Sequence, residues 1–183
     1  EKLTFYIYEI LLSDHIQLGF LALANTDDYL SDKIKGHENT YQKKMQDRAD
    51  QMANIETQIG PIYLAYPDNN KINALLKSFT NNEPNYDFQS FDKSRHKLWC
   101  INNQHDIEII FDNLSSIKSM YIADGHHRMG AMNIISKNFS KNKTNSNNFM
   151  IAAFPVNQSL ILDYNRVIKD LNGLTENLFF DRL

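Results

Sequence analysis

Ala123-Asp124-Gly125-His126-His127-Arg128 gathers a carboxylate, two imidazoles and a guanidinium into one short run. It lies between an apolar run, Ile117 to Ile122, and a helical stretch, Met129 to Asn138. The pattern reads as a strand that turns through Asp-Gly into the start of a helix. Such a junction can hold an anion, because the first amides of a helix lack internal partners and the helix dipole adds positive potential there. Gly125 lets the backbone approach closely, and Arg128 offers a planar fork for phosphate oxygens. The same residues also fit a capping Asp followed by surface histidines, or His and Asp as zinc-type ligands. The residues alone leave these readings open.

A second group is Gly36-His37-Glu38-Asn39-Thr40, followed by Lys43, Lys44, Asp47 and Arg48. Residues 40, 44, 47 and 48 share a face of the helix expected over Thr40 to Thr57. His37 and Glu38 precede its positive end, where a carboxylate can bind a metal or accept a proton. A capping segment before a solvated helix is the plain alternative. The third group is Asn165-Arg166, polar residues directly after a strand end, which also fit an ordinary surface turn. His15, His96 and His105 have no ligand-type partners at useful spacing and read as surface or packing residues. The chain has no Walker A motif and no Gly-x-Gly-x-x-Gly, so any nucleotide is held by another design.

Several elements must position these groups. Thr4 to Leu12 and Gln17 to Ala24 form an expected hairpin around Ser13-Asp14-His15. Thr26 reads as the cap of a short helical turn. Within Thr40 to Thr57, Met45, Ala49, Met52 and Ile55 give a single apolar stripe. Gly60-Pro61 ends that helix, and Ile62 to Tyr66 follows as a strand. Asn70 to Phe79 and His105 to Leu114 read as helices, and Tyr86 to Phe91 with His96 to Ile101 as paired strands. Asn138 to Asn148 reads as a mobile loop, Phe149 to Val156 as a strand, and Ser159 to Leu162 as a short strand. Hairpins mixed with strand–helix units give an α+β fold with a mixed sheet.

The 183 residues suit one domain large enough for a real core. A net charge of −3 argues against nonspecific nucleic-acid binding by this segment. The single cysteine, Cys100, excludes an intrachain disulfide framework and a multi-cysteine zinc site. Beside Trp99 it reads as a buried structural thiol, which suits a reducing cytoplasm. No apolar run approaches the roughly 20 residues of a membrane span. The chain begins at Glu1, almost inside a strand, and ends just after Leu178-Phe179-Phe180. Both ends read as cuts through a longer protein. Oligomeric state is not legible.

Taken in order, these groups resemble the bacterial and archaeal family of unknown function called DUF ten-fifteen. Its Ala-Asp-Gly-His-His-Arg box is Ala123 to Arg128 here. Its Ile-Lys-x-His-Glu-x-Thr segment is Ile34 to Thr40, followed by Lys43, Lys44 and Asp47-Arg48. Its Gly-Pro-hydrophobic strand is Gly60 to Tyr66, and its Asn/His-Arg-Val and Leu-Asn-Gly segments are Asn165-Arg166-Val167 and Leu171-Asn172-Gly173. One departure is Met129-Gly130 after the box, where an aromatic such as Tyr is common. The resemblance implies a longer protein with a ParB/sulfiredoxin-like nucleotide-binding core. It also implies kinship with free serine kinases, which convert L-serine to O-phosphoserine using ADP or ATP.

On that resemblance, the expected activity is a nucleotide-dependent phosphotransferase acting on a small hydroxyl-bearing metabolite. Gly125, His126, His127 and Arg128 would hold the nucleotide phosphates. Asp124 or Glu38 would hold Mg²⁺ or act as base, with His37 beside them. Arg48, Arg166 and Asn165 would complete the phosphate or substrate surroundings. Two other classes stay open: a CTP- or ATP-binding regulatory protein of ParB type, and a metal-dependent hydrolase using His126, His127 and Asp124.

Overall fold

The computed structural model describes residues 4–139, 147–163, 165 and 167–182. Aromatic and branched residues build β1 (Phe5–Leu12), which turns back through Ser13, at a left-handed φ of 56°, into β2 (His15–Asn25). The chain continues through α1 (Thr26–Leu30), β3 (Ile34–Lys35), α2 (Gln42–Ile55), β4 (Ile62–Tyr66) and α3 (Asn70–Phe79). Then follow β5 (Tyr86–Gln89), β6 (Arg95–Ile101), α4 (Gln104–Leu114), β7 (Met120–Asp124), α5 (His126–Phe139), β8 (Asn148–Pro155) and α6 (Glu176–Phe180). The eight strands form one mixed sheet in the order β3-β7-β4-β8-β2-β1-β6-β5. The β3–β7 and β4–β8 pairs are parallel, and the rest are antiparallel. The fold is therefore α+β with a mixed sheet. No helix among the described residues is long and apolar enough to cross a membrane.

Strand register explains where the core sits. Directly opposed residues share a face of a sheet. Ile7 opposes Phe20 and Trp99, Phe20 opposes Ala153, and Leu64 opposes Ala153 and Ile122. All six are buried and belong to one cluster, joined by Ala49 and Met52 of α2, Ile72 and Leu76 of α3, Ile110 of α4, and Met129 and Met132 of α5. The apolar stripe expected on α2 thus faces the core through Ala49 and Met52.

The opposite face carries a row of rings. Tyr63 stacks on Phe154 (5.2 Å between centroids), Phe154 meets Tyr8 (5.7 Å), Tyr8 stacks on His96 (5.9 Å), and His96 stacks on Phe88 (5.1 Å). Strand β2 crosses this row at Gly19, opposite Tyr8. A Cβ at Gly19 would lie 2.0 Å from the Ala153 carbonyl oxygen and 2.6 Å from the Phe154 ring. The row closes over β2 because that side chain is missing. His96 is a packing residue: Nδ1 accepts from the Tyr8 hydroxyl, and Nε2 meets the Ser94 hydroxyl, both at 2.8 Å.

Three local expectations are corrected. Asn25, not Thr26, caps α1, its side chain accepting from the Asp27 N–H, while Thr26 is buried with its hydroxyl on Ser136. Residues 159–162 form no strand. Val156–Gln158 is a 3₁₀ turn, and the Gln158 side chain and carbonyl accept from the Leu18 N–H and the His15 ring. Cys100 is half-buried instead of buried, and burial still pushes its thiol up from the ordinary range. The helix start expected at His-His-Arg is found at His126, and the helix runs on without a break through Met129. Of the loop expected over Asn138 to Asn148, residues 140–146 lie outside the described residues.

The blocking atom at Gly19 is main chain, so Gly19→Ala forces sheet displacement. Denaturant unfolding is expected to show a loss of roughly 1–3 kcal/mol or more, the scale of overpacking a core. An unchanged midpoint would show that β2 and β8 part freely at this position.

Candidate functional site

Asp124 ends β7, Gly125 turns the chain at φ +104°, and α5 starts at His126. The Met129 N–H donates to the Gly125 carbonyl at 2.9 Å, so the N–H groups of His126, His127 and Arg128 precede that first helical bond. Opposite Asp124, the β4–β7 register shifts between Tyr63 and Leu64. Such an irregularity re-aims the strand end beside a site.

Both adjacent imidazoles turn towards the segment between β3 and α2. His126 is buried. Its Nε2 accepts from the His37 main-chain N–H at 3.3 Å, and its Nδ1 lies 3.1 Å from Glu38 Oε2. The His37 ring packs edge-on against it, 4.5 Å between centroids. With Nε2 accepting, the proton belongs on Nδ1, donated to Glu38, and the ring is neutral. Burial holds this imidazole below its ordinary range, and His37 and His127 push the same way, against Glu38 and Asp124. His127 Nε2 accepts from the Tyr41 N–H at 3.4 Å, and the two rings stack.

Arg128 folds back over the turn. Its Nη2 donates to Asp124 Oδ2 and its Nη1 to the Pro61 carbonyl. The residue before Pro61 is tied to β8. Gln58 Nε2 donates to the carbonyls of Gly60 and Met150, each at 3.0 Å, and Gln58 Oε1 accepts from the Met150 N–H at 2.7 Å.

These elements enclose a cavity of about 480 Å³, within the range of roughly 300–1,000 Å³ usual for ligand sites. Asp124, Gly125, His126, His127 and Arg128 line one side, with Glu38 from the β3–α2 segment and Arg48 from α2. Three stretches far apart in sequence therefore meet at one opening. His37 stands behind His126 and does not line the cavity. Asn165 is exposed and does not line it either. Arg166 lies outside the described residues.

Sequence reasoning missed Gln51, Met52 and Ile59, which complete the wall. Gln51 was findable, being one helical turn from Arg48, whose Nη1 donates to Gln51 Oε1 at 3.0 Å. Ile59 carried no signal beyond its place before Gly60-Pro61. Among the described residues, no three His, Cys, Asp or Glu side chains converge on a point. The His126–His127–Asp124 set of the hydrolase alternative forms no such group, and both rings are turned to main-chain N–H groups.

A family model described as a protein of unknown function (DUF1015) matches residues 1–183, and the chain belongs to that family. No curated protein and no solved structure matches it.

The neutral imidazole sets a pH dependence. A base whose pKa is lowered by folding binds fewer protons in the native than in the unfolded state, so stability rises with pH between the two values. The His126 contribution is complete above about pH 6.5, the unfolded value, and is lost as pH falls towards the lower folded one. An NMR titration is expected to place the His126 midpoint below about 6.5, and lower still in Glu38→Gln. A wild-type midpoint above it would mean a charged imidazolium on Glu38.

Proposed function

We propose that this DUF1015 member is a nucleotide-dependent phosphotransferase acting on a small hydroxyl-bearing metabolite, with free L-serine the first acceptor to test. One observation carries the reading: two carboxylates and two guanidinium-bearing residues from three separate stretches line a single ligand-sized cavity. Phosphoryl transfer depends on positioning and charge neutralisation more than on covalent chemistry. A cavity that presents both signs of charge at close range suits a reaction in which anionic oxygens move. The resemblance to ParB/sulfiredoxin-like nucleotide-binding proteins and to free serine kinases supplies the reaction class.

The residues divide the work. Gly125 brings main chain close to the ligand, and the N–H groups at the head of α5 with Arg128 and Arg48 meet phosphate oxygens. His126 is a positioning residue, because both its ring nitrogens are already used on His37 and Glu38. Glu38 is the better placed base for the acceptor hydroxyl: its partner is a neutral imidazole, and its side chain is 52% exposed. Asp124 is instead committed to a cation, Arg128.

Mg²⁺ binds through one or two carboxylates together with phosphate oxygens and water, without a dedicated protein cage. Asp124 and Glu38 in one cavity fit that requirement. When bound, Mg²⁺ would neutralise charge on the transferring phosphate.

Calorimetric titration with ATP, ADP and CTP in Mg²⁺ tests the reading. Adenine-nucleotide binding is expected, and Arg128→Ala should weaken it by about 2–5 kcal/mol, the scale for removing one partner of a buried charged contact. Unchanged affinity in a folded Arg128→Ala protein would remove the phosphate role. A preference for CTP without turnover would indicate the regulatory ParB-type protein instead.

A further inference from the structure

Arg128 lies against two glycines held in left-handed backbone. Gly60 has φ +72° and Gly125 φ +104°. A Cβ on Gly60 would come within 3.2 Å of Nη1, and one on Gly125 within 3.1 Å of Nε and Nη2. Side chains at these positions would be strained and would crowd the guanidinium. The two partners of this guanidinium differ in permanence. The Pro61 carbonyl is main chain, and Gly60 before it is tied through Gln58 to β8. The Asp124 carboxylate is a side chain, 78% exposed, on the cavity wall. One end of Arg128 is thus tied down, while the other carries a displaceable anion.

Building on the phosphate reading of the cavity, we propose that Asp124 sets ligand selectivity: it keeps Arg128 occupied so that the site admits phosphate as a divalent-cation complex and rejects the free anion. A free polyphosphate must expel the carboxylate from Arg128 and leave it unpaired beside new negative charge. Like charges brought together at such range repel, and this repulsion discriminates against the wrong ligand. Glu38 on the same wall adds to it. A cation–phosphate complex meets no such penalty. Asp124 turns to the cation, which takes oxygen ligands, as Arg128 takes a phosphate oxygen. One ion pair is exchanged for two, and the Asp124 carboxylate is never left unpaired. The glycine slot and the Pro61 carbonyl hold the guanidinium in place while its partner changes.

The probe is inorganic pyrophosphate, titrated calorimetrically into wild type and Asp124→Asn, once in Mg²⁺ and once in EDTA. Wild type is expected to bind in Mg²⁺ at least about tenfold more tightly than in EDTA, and Asp124→Asn to bind pyrophosphate in EDTA about tenfold more tightly than wild type does, with little further gain from Mg²⁺. Asp124→Ser, which removes the carboxylate without adding an amide, should behave alike, and thermal unfolding confirms that both variants are folded. The inference is overturned if wild type binds free and complexed pyrophosphate equally. It is also overturned if wild type binds pyrophosphate but both variants bind the free anion no better. Absence of binding to every protein in both conditions overturns the phosphate reading itself, and this inference with it.

Discussion

The imidazole of His126 joins two parts of the chain 89 residues apart, and the geometry of the cavity follows from it. An imidazole placed in the interior without partners would lose its water hydrogen bonds for nothing. Here one nitrogen accepts from main chain and the other donates to a carboxylate. The contact therefore works only in the neutral form and in one tautomer. It fixes the path of residues 36–38, hence the place of Glu38, hence the direction in which the chain enters α2. Gly36 is part of the same constraint, since a Cβ there would come within 3.3 Å of the His126 ring. His127 repeats the device at Tyr41. The paired histidines act first as clasps for a loop.

The packing of α2 on α5 is the second half of that enclosure. It passes through Gly130, where a Cβ would fall 2.1 Å from the Met45 sulfur. Met129 beside it is fully buried. The joint is filled by the flexible Met45 thioether lying over a glycine, and methionine adapts to irregular gaps. Arg48, Gln51 and Met52 come to the cavity because the two helices approach this closely.

Much of this was legible from one sequence. Locally coded elements stood out: the β1–β2 hairpin, the α3 stretch over Asn70 to Phe79, and the strand–turn–helix through Gly125 all have period, caps or turn residues within reach of one another. The gathering of Glu38, Arg48 and the Asp124–Arg128 box was foreshadowed by residue type and by resemblance, since no local pattern brings residues so far apart together. The places of β4 between β7 and β8, and of the short β3 at the sheet edge, were not legible. Strand order is decided by tertiary packing and leaves no mark on a five-residue apolar run. The occupation of Arg128 was equally hidden. A guanidinium reads as a free fork in a sequence, and only the fold shows Pro61 and Asp124 already in its grasp. Ser159 to Leu162 misled because its apolar residues imitate a strand, while the 3₁₀ turn at Val156–Gln158 had already ended β8, its Gln158 side chain accepting from the Leu18 N–H within β2.

The chain contains one tryptophan, Trp99, almost wholly buried on the core face of β6, with its indole N–H on the Asn82 carbonyl. Strand β6 stands five places from β7 in the sheet order, and at about 4.8 Å per place the site lies on the order of 24 Å away. Direct contact quenching from around Asp124 does not reach the indole over that distance, so its intrinsic emission reports the integrity of the sheet. A fluorescent nucleotide in the cavity that absorbs where the indole emits would instead lie within the reach of dipole–dipole energy transfer. The same buried ring would then serve as a ruler from the far side of the sheet to the site, with no engineered label on the protein.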